Sequence, residues 1–371
     1  MTDRDVKDRR RRVVTSADVA RAAGVSRSTV SLVLNNVPGM TFHPETVRRV
    51  RLAAERLGYF PNVPARSVTT RQGYALGVVS FWEPGSTLFA RTFQGMLAAS
   101  REAGYGLTLC DIASPSGEFD VDVIIQFYRE GRIDGVVALL STFPAHAGAG
   151  VLVRRLKSER IPFVLINSAV EDPEVDEILA DNRHAGYIGT KHLLELGHTR
   201  IGFGLRRGQK GEISVSEAER FEGYTRALAE AELQVDERLI LSDPEGPTHI
   251  NVDSGHRSFD ALADRLAREG APLPTAVYCI NDRVALGVLY AAGERGLRVP
   301  DDLAIVGTDD LEIASQVRPA LTSVRQPLHE LGVEAIRLLL DRIKGSGPEG
   351  PVKLRIPCSL KVRASCGTPR H

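Results

Sequence analysis

From Tyr74 onward, short apolar runs recur between longer stretches of mixed polarity. The runs are Ala75–Ser80, Gly106–Cys110, Gly135–Leu140, Phe163–Ile166, Ile178–Ala180, Arg200–Gly204, Ala276–Ile280, Leu303–Gly307 and Leu321–Arg325. Runs this short and this apolar read as strands. The stretches between them, such as Phe93–Ala103 and Ala218–Ala231, carry helical spacing. Strand–helix alternation predicts parallel sheets covered by helices. About 300 residues is too much for one core, so two lobes are expected.

Before Tyr74 the pattern is helical throughout. Thr15-Ser16-Ala17-Asp18 can cap a helix, and Val19, Ala20 and Ala23 give that helix a small apolar face. Gly24 follows, where a chain leaving a helix often needs positive φ. Ser26 can cap a second helix running to about Leu34, with Val30, Val33 and Leu34 inward. Ala20 is small where a second helix must come close, and Val30 locks the pair. This is the geometry of a helix-turn-helix, whose second helix enters the major groove. A third helix is expected from Pro44 to Leu57, with Gly58 at its exit and Val47, Val50, Ala54 and Leu57 on one face. It closes a three-helix core.

Charge sharpens that picture. The chain of 371 residues has zero formal net charge. Residues 1–70 nevertheless hold 13 Lys/Arg against 6 Asp/Glu, a balance of +7, and the remainder carries −7. A basic head on an acidic body predicts that the head meets a polyanion. Outward residues of the second helix supply the chemistry. Arg27 can make a bidentate contact to guanine or a phosphate contact, Ser28 can bond base or phosphate, Ser31 lies outward beside them, and Leu32 can touch a thymine methyl. The double-stranded DNA operator is the expected partner.

The stretches VTSADVARAAGVSRSTVSLVLNN and HPETVRRVRLAAERLGYFPNVPARSV closely resemble the head of LacI/GalR-family transcription regulators, nearly without a break over residues 14–68. The resemblance implies DNA contacts from Thr15, Ser26, Arg27, Ser28, Ser31 and Leu32. It also implies a hinge helix that contacts DNA through Asn62, Ala65, Arg66 and Val68. In the family a leucine of that hinge wedges into the minor groove. Val68 stands at the matching position and is shorter, which implies a smaller wedge. His43 replaces the Ser that usually caps the third helix. The implied organisation is a basic tail at 1–14, a helix-turn-helix domain at 15–61, a hinge at 62–72 and a two-lobed core at 73–371.

The core resembles the family's periplasmic-binding-protein-like domain. By that resemblance the chain crosses between lobes near Ser168–Ile178, near Gln326 and near Pro351. Ligands in such sheets bind beyond the carboxyl ends of the strands. Asn167, Asp181, Asn281, Asp282 and Thr308-Asp309-Asp310 stand at such ends, and Arg220 is expected to start the helix after the Ser214–Ser216 loop. Asp and Asn oxygens accept from vicinal hydroxyls, while Arg donates in a planar fork. Together they suit a sugar, polyol or nucleoside. The resemblance assigns effector contacts to Arg220 in SEAERFEGY, Asn281 in CINDRVALG, Asp309 in VGTDD and Asn167. Phe89, with Trp82 as a second candidate, is expected to face the cleft. Asp181 is read as a helix cap.

Several function classes drop out. No nucleophile-elbow or phosphate-loop motif is present, so an enzyme, for instance one using Asp282 and Asp309, is disfavoured. Cys110, Cys279, Cys358 and Cys366 form no C-x-x-C pair, and the nine His are scattered, so neither a metal nor another cofactor is expected. No apolar run is long enough to span a bilayer, and the charged start lacks an apolar leader segment. These features point to a cytoplasmic regulator rather than an exported solute-binding protein. A tetramer would need a heptad-repeat tail after the strand-like Lys353–Arg363. A homodimer on a pseudo-palindromic operator is therefore the expectation.

Overall fold

A computed structural model of the chain describes residues 14–34, 40–59, 73–82, 85–110, 120–140, 147–204, 213–244 and 251–367. It divides into two compact units, Met1–Gly73 and Tyr74–His371.

The first unit contains α1 (Ser16–Ala23), α2 (Arg27–Leu34) and α3 (Pro44–Leu57). Thr15 donates from N and Oγ1 to the Asp18 carboxylate at 3.0 and 2.7 Å, which fixes the start of α1. Gly24 ends it at φ 65°, in the left-handed region where a Cβ is strained. Ser26 Oγ accepts from Thr29 N at 3.0 Å and caps α2. His43 caps α3, its Nδ1 accepting from Glu45 N at 3.4 Å. Val19, Ala20, Ala23, Val30, Val33, Val50, Ala53 and Ala54 form the core. Leu57, expected to face inward, is exposed: it shares the phase of Val50, Ala53 and Ala54 but is the last residue of α3, past the core they form.

The second unit holds two six-stranded sheets. Their strands are β1 (Ala75–Ser80), β2 (Gly106–Cys110), β3 (Val136–Leu139), β4 (Phe163–Ile166), β5 (Glu177–Asp181), β6 (Ile201–Gly204), β7 (Ile240–Leu241), β8 (Ala276–Tyr278), β9 (Ala304–Thr308), β10 (Thr322–Arg325), β11 (Lys353–Pro357) and β12 (Ser359–Lys361). One sheet runs β11-β5-β4-β3-β1-β2 and the other β12-β10-β9-β8-β6-β7. Every ladder is parallel except β10 with β12. Helices cover both, as parallel sheets require: α4 (Thr87–Glu102), α5 (Asp122–Arg129), α6 (Ala147–Ser158), α7 (Asn182–Glu195), α8 (Val215–Glu230), α9 (Val252–Arg268), α10 (Asp282–Glu294), α11 (Glu312–Gln316) and α12 (Leu328–Lys344).

Two of the expected crossings move. The loop after Asn167 turns back into the first sheet, held by Glu177 Oε1, which accepts from Ser168 N at 3.0 Å and from Ser168 Oγ. The first crossing therefore falls at Asp181–Asn182, after β5. The second lies at Gln326, as expected. The Lys353–Arg363 segment is not one strand. It splits at Cys358, with β11 in the first sheet and β12 in the second, so the third crossing lies there rather than near Pro351. An extended segment shared by two sheets leaves no polarity break for sequence reading to find. Strand β7 is only two residues long and was not anticipated.

In the first lobe α4 and α12 pack backbone to backbone. A Cβ on Gly95 would lie 1.9 Å from His329 O, and one on Gly332 would lie 2.1 Å from Thr92 O. Gly95→Ala must push the helices apart and is expected to cost about 1–3 kcal/mol or more. Chemical denaturation should show a lower midpoint at unchanged slope.

Candidate nucleic-acid interface and ligand cavity

The cap Ser26 and, on α2, Arg27, Ser28 and Ser31 are exposed and Leu32 is half-buried, while Val30 and Val33 point to the core. The helix thus presents a short polar face with one cation, flanked by Thr15 at the start of α1. Ser26 Oγ is engaged with Thr29 and lies 2.7 Å from Ser28 Oγ, which fixes the serines for contact. Asn62, Ala65, Arg66 and Val68 lie outside the described residues.

The second unit carries a cavity of about 160 Å³ between its lobes. It sits where the topology puts it. Both sheet orders reverse beside their first strand, at β1/β3 and at β6/β8, and crevices open at such switch points. Trp82 follows β1 and donates from Nε1 to Leu140 O after β3 at 2.8 Å, so the indole is pinned across the first switch point and lines the cavity. Ile280 and Asn281 follow β8 and line the opposite side.

Arg220, Asn281, Asp309 and Asn167 all reach this one cavity. Arg220 is 7% exposed. Its Nε donates to Asn182 Oδ1 at 3.0 Å and its Nη1 to Ile280 O. Arg220 lies in the second turn of α8, not at its start. Ser214 is the N-cap, its Oγ accepting from Glu217 N at 3.2 Å. Asn281 caps α10, its Oδ1 accepting from Val284 N at 2.8 Å. Asn167 Oδ1 accepts from Ala180 N at 2.9 Å. In both asparagines the carbonyl is engaged by the fold. Asp309 accepts from Gln326 Nε2 at 2.6 Å. Asp181 caps α7, accepting from His184 N at 2.9 Å.

Phe89, expected in the cleft, is instead buried against Phe93 at 5.3 Å between ring centroids. The helix phase turns its neighbour Leu88 to the cavity, beside Trp82. Sequence reading did not single out Asn182, Glu217, Gln326 or Leu328 as lining. The Ser214-x-x-Glu217 capping signature could have placed the helix start and with it the lining face. Asn182 and Gln326 stand beside crossings and carry no local signal.

Backbone strain marks the same rim. Asn167, Asp309 and Asp310 adopt φ of 46°, 107° and 51°. Asn and Asp tolerate this region best among residues with a side chain, and such strain concentrates at ligand sites. Electrostatics follow burial. Burial raises the Asp309 carboxyl above its usual range, opposed by Arg220. Burial, reinforced by Asp309, pushes the Asp282 carboxyl up to about 8. Asp282 spends both oxygens on Ser323 Oγ and Leu311 N and does not line the cavity. It has no free edge for acid–base chemistry. Among the described residues no group of His, Cys, Asp and Glu could hold a metal ion, and no helix is long and apolar enough to cross a membrane.

Comparison with known proteins bears on the family and the fold. Residues 15–62 match the family of bacterial regulatory proteins, lacI family, and residues 190–366 match a periplasmic binding protein-like domain. The chain is 31% identical over 340 residues to the HTH-type transcriptional repressor PurR of Vibrio atlanticus (strain LGP32), covering 91% of this chain and 94% of the relative. A transcriptional regulator CelR–cellobiose complex is 30% identical, with a TM-score of 0.65 over 95% of this chain and 99% of that one. The Lac repressor dimer bound to operator and the anti-inducer ONPF shares the fold, with a TM-score of 0.72 at 24% identity over 96% and 99% of the two chains.

A raised carboxyl holds its proton more tightly folded than unfolded. Asp282 therefore favours the folded state fully below about pH 4 and loses that contribution as pH rises toward about 8. Stability against pH should carry a negative slope in that window, at most about 1.4 kcal/mol per pH unit. Asp282→Asn keeps an acceptor for Leu311 N and a donor for Ser323 Oγ. Denaturation curves from pH 4 to 9 should show that component of the slope lost in the variant.

Proposed function

The chain belongs to the lacI family of bacterial regulatory proteins and is a DNA-binding transcriptional repressor controlled by a small molecule, and we propose that a hydroxyl-rich effector bound between the two lobes sets its hold on DNA. It is a regulator and not an enzyme. The observation that carries the effector reading is the convergence of Arg220, Asn281, Asp309 and Asn167 on one cavity. A planar donor fork faces a carboxylate and amides, a set that pairs vicinal hydroxyls, and the Trp82 indole offers a flat apolar wall. A sugar, polyol or nucleoside ring fits that chemistry. The relative that holds cellobiose supports the sugar option.

The helix-turn-helix at 15–61 reads base edges from α2, with Arg27 as the main donor and Thr15, Ser26, Ser28, Ser31 and Leu32 around it. The hinge at 62–72 presents Asn62, Ala65, Arg66 and Val68 to the minor groove. Two copies act as a homodimer on a pseudo-palindromic site, since protein symmetry dictates DNA symmetry. The cytoplasm is the proposed compartment, where four free, buried cysteines stay reduced. Effector and DNA must differ in preference between lobe angles, or share one, for binding at one site to act at the other.

A thermal-shift screen of sugars, polyols and nucleosides tests the effector reading, because a ligand that binds only the folded state raises its stability. Arg220→Ala and Asp309→Ala should each weaken the ligand so found by about tenfold or more, since a lost partner leaves a buried polar group unpaired. Calorimetry giving wild-type affinity in both variants would return these residues to a purely structural role. Arg27→Ala in the full chain should cost about 1–3 kcal/mol of operator affinity if it pairs with guanine. Mobility-shift titrations should also show wild-type affinity falling steeply with salt, as released counterions require.

A further inference from the structure

Two neighbouring pairs of residues tie α7 to α8. Asn182 accepts from Arg220 on the cavity side. On the outer side, Arg183 Nη1 donates to Glu219 Oε1 at 2.9 Å. Glu219 is buried, with a side chain only 7% exposed. Its carboxylate also holds a cation from the other lobe. Arg355 of β11 donates from Nη1 to Oε2 at 3.1 Å and reaches Oε1 through Nη2 at 2.8 Å.

We propose that the Arg355–Glu219 ion pair, with Glu219 anchored to α7 by Arg183, is a brace that sets the angle between the lobes and, resting on the ligand role proposed above for Arg220, couples it to that residue. Arg355 stands three residues before the third crossing at Cys358, and Arg183 stands just after the first. A two-pronged guanidinium–carboxylate contact fixes orientation as well as distance. A small rotation about the crossings therefore misaligns the fork even where the separation barely changes. Opening the lobes takes Arg355 away from a carboxylate with little access to water, so the closed arrangement is favoured. A cavity of about 470 Å³ on the outer side, lined in part by Arg183 and Arg355, gives the guanidinium groups room to separate. Because Glu219 and Arg220 are adjacent on one helix, a ligand that shifts Arg220 shifts the brace with it. Glu219 and Arg355 are positioning residues, and neither lines the ligand cavity.

The test needs neither effector nor operator, so its outcome is independent of the effector assignment. Spin labels are placed on Glu130→Cys in the first lobe and Glu269→Cys in the second, both exposed positions. The four native thiols are buried and stay unlabelled. Labelled full-length chain is diluted in excess unlabelled chain, and the interlobe distance distribution is measured by pulsed electron resonance. Arg355→Ala and Glu219→Gln should each raise the open population about tenfold, with no further rise when combined. Arg183→Ala keeps the interlobe leg and should leave the distribution near wild type. Arg355→Lys keeps the charge but loses the fork, and should fall between. If Arg355→Ala fails to unfold cooperatively, Arg355→Lys and Glu219→Gln decide the matter. Wild-type distributions in folded Arg355 and Glu219 variants, or an equal change in Arg183→Ala, would overturn the brace.

Discussion

A guanidinium taken out of water must be paired almost completely, and the ligand cavity is organised around that requirement at Arg220. Its partners, Asn182 Oδ1 and Ile280 O, come from the start of α7 and from the turn that follows β8. They can be reached only if α7 and α8 run unusually close together. A Cβ on Gly186 would lie 1.9 Å from Arg220 O, and one on Gly223 would lie 2.1 Å from Arg183 O. The glycines let the backbones touch, the contact places Arg220, and Arg220 in turn moderates the charge on buried Asp309. Removing the close approach would cost the site the cation that most strongly offsets the burial of Asp309.

The two lobes share this chemistry because three crossings stitch them side by side. Each crossing carries a side chain that bonds across the junction or to the cavity rim: Asn182 to Arg220, Gln326 to Asp309, and Cys358 Sγ to Asp181 O at 3.6 Å. Away from the crossings, Arg91 of α4 donates to Asp310 O at 2.9 Å and adds a second tie between lobes. Asp310 is itself held by Arg325 and Arg363, whose pairing outweighs the upward push of burial on its carboxyl. The rim is therefore a polar network whose members bond one another when the lobes are close.

Much of this was legible in the sequence. A short strand buried on both faces reads as an uninterrupted apolar run, and every run read as a strand coincides with or overlaps one. The helix-turn-helix was legible because its constraints are local: a cap, a left-handed glycine and a small residue at the contact. Asp309, Asn281 and Asn167 were legible because polar residues ending apolar strands stand out. Phe89 failed because helix phase, not residue type, decides which of two adjacent apolar side chains faces a cleft. The crossings at Asp181 and Cys358 failed because a strand does not announce which sheet it joins. Asn182 was missed because its role depends on a helix 38 positions away in sequence.

The carboxylates argue for sensing over catalysis in their own terms. A hydrolytic pair would need both groups at the reacting bond with free edges, one protonated and one ionised. Asp282 has a raised carboxyl suited to an acid, but Leu311 N and Ser323 Oγ occupy its two oxygens behind the cavity wall. Asp309 reaches the cavity, but Gln326 occupies Oδ1 from the second crossing. A hydroxyl that bonds Asp309 thus acts on a residue tied to the crossing itself. Since a ligand shifts a conformational equilibrium only by its differential affinity for the two states, contacts made by crossing residues do more than equal contacts made within one lobe. In the proposed mechanism, that placement is what lets a modest set of hydrogen bonds change the lobe angle.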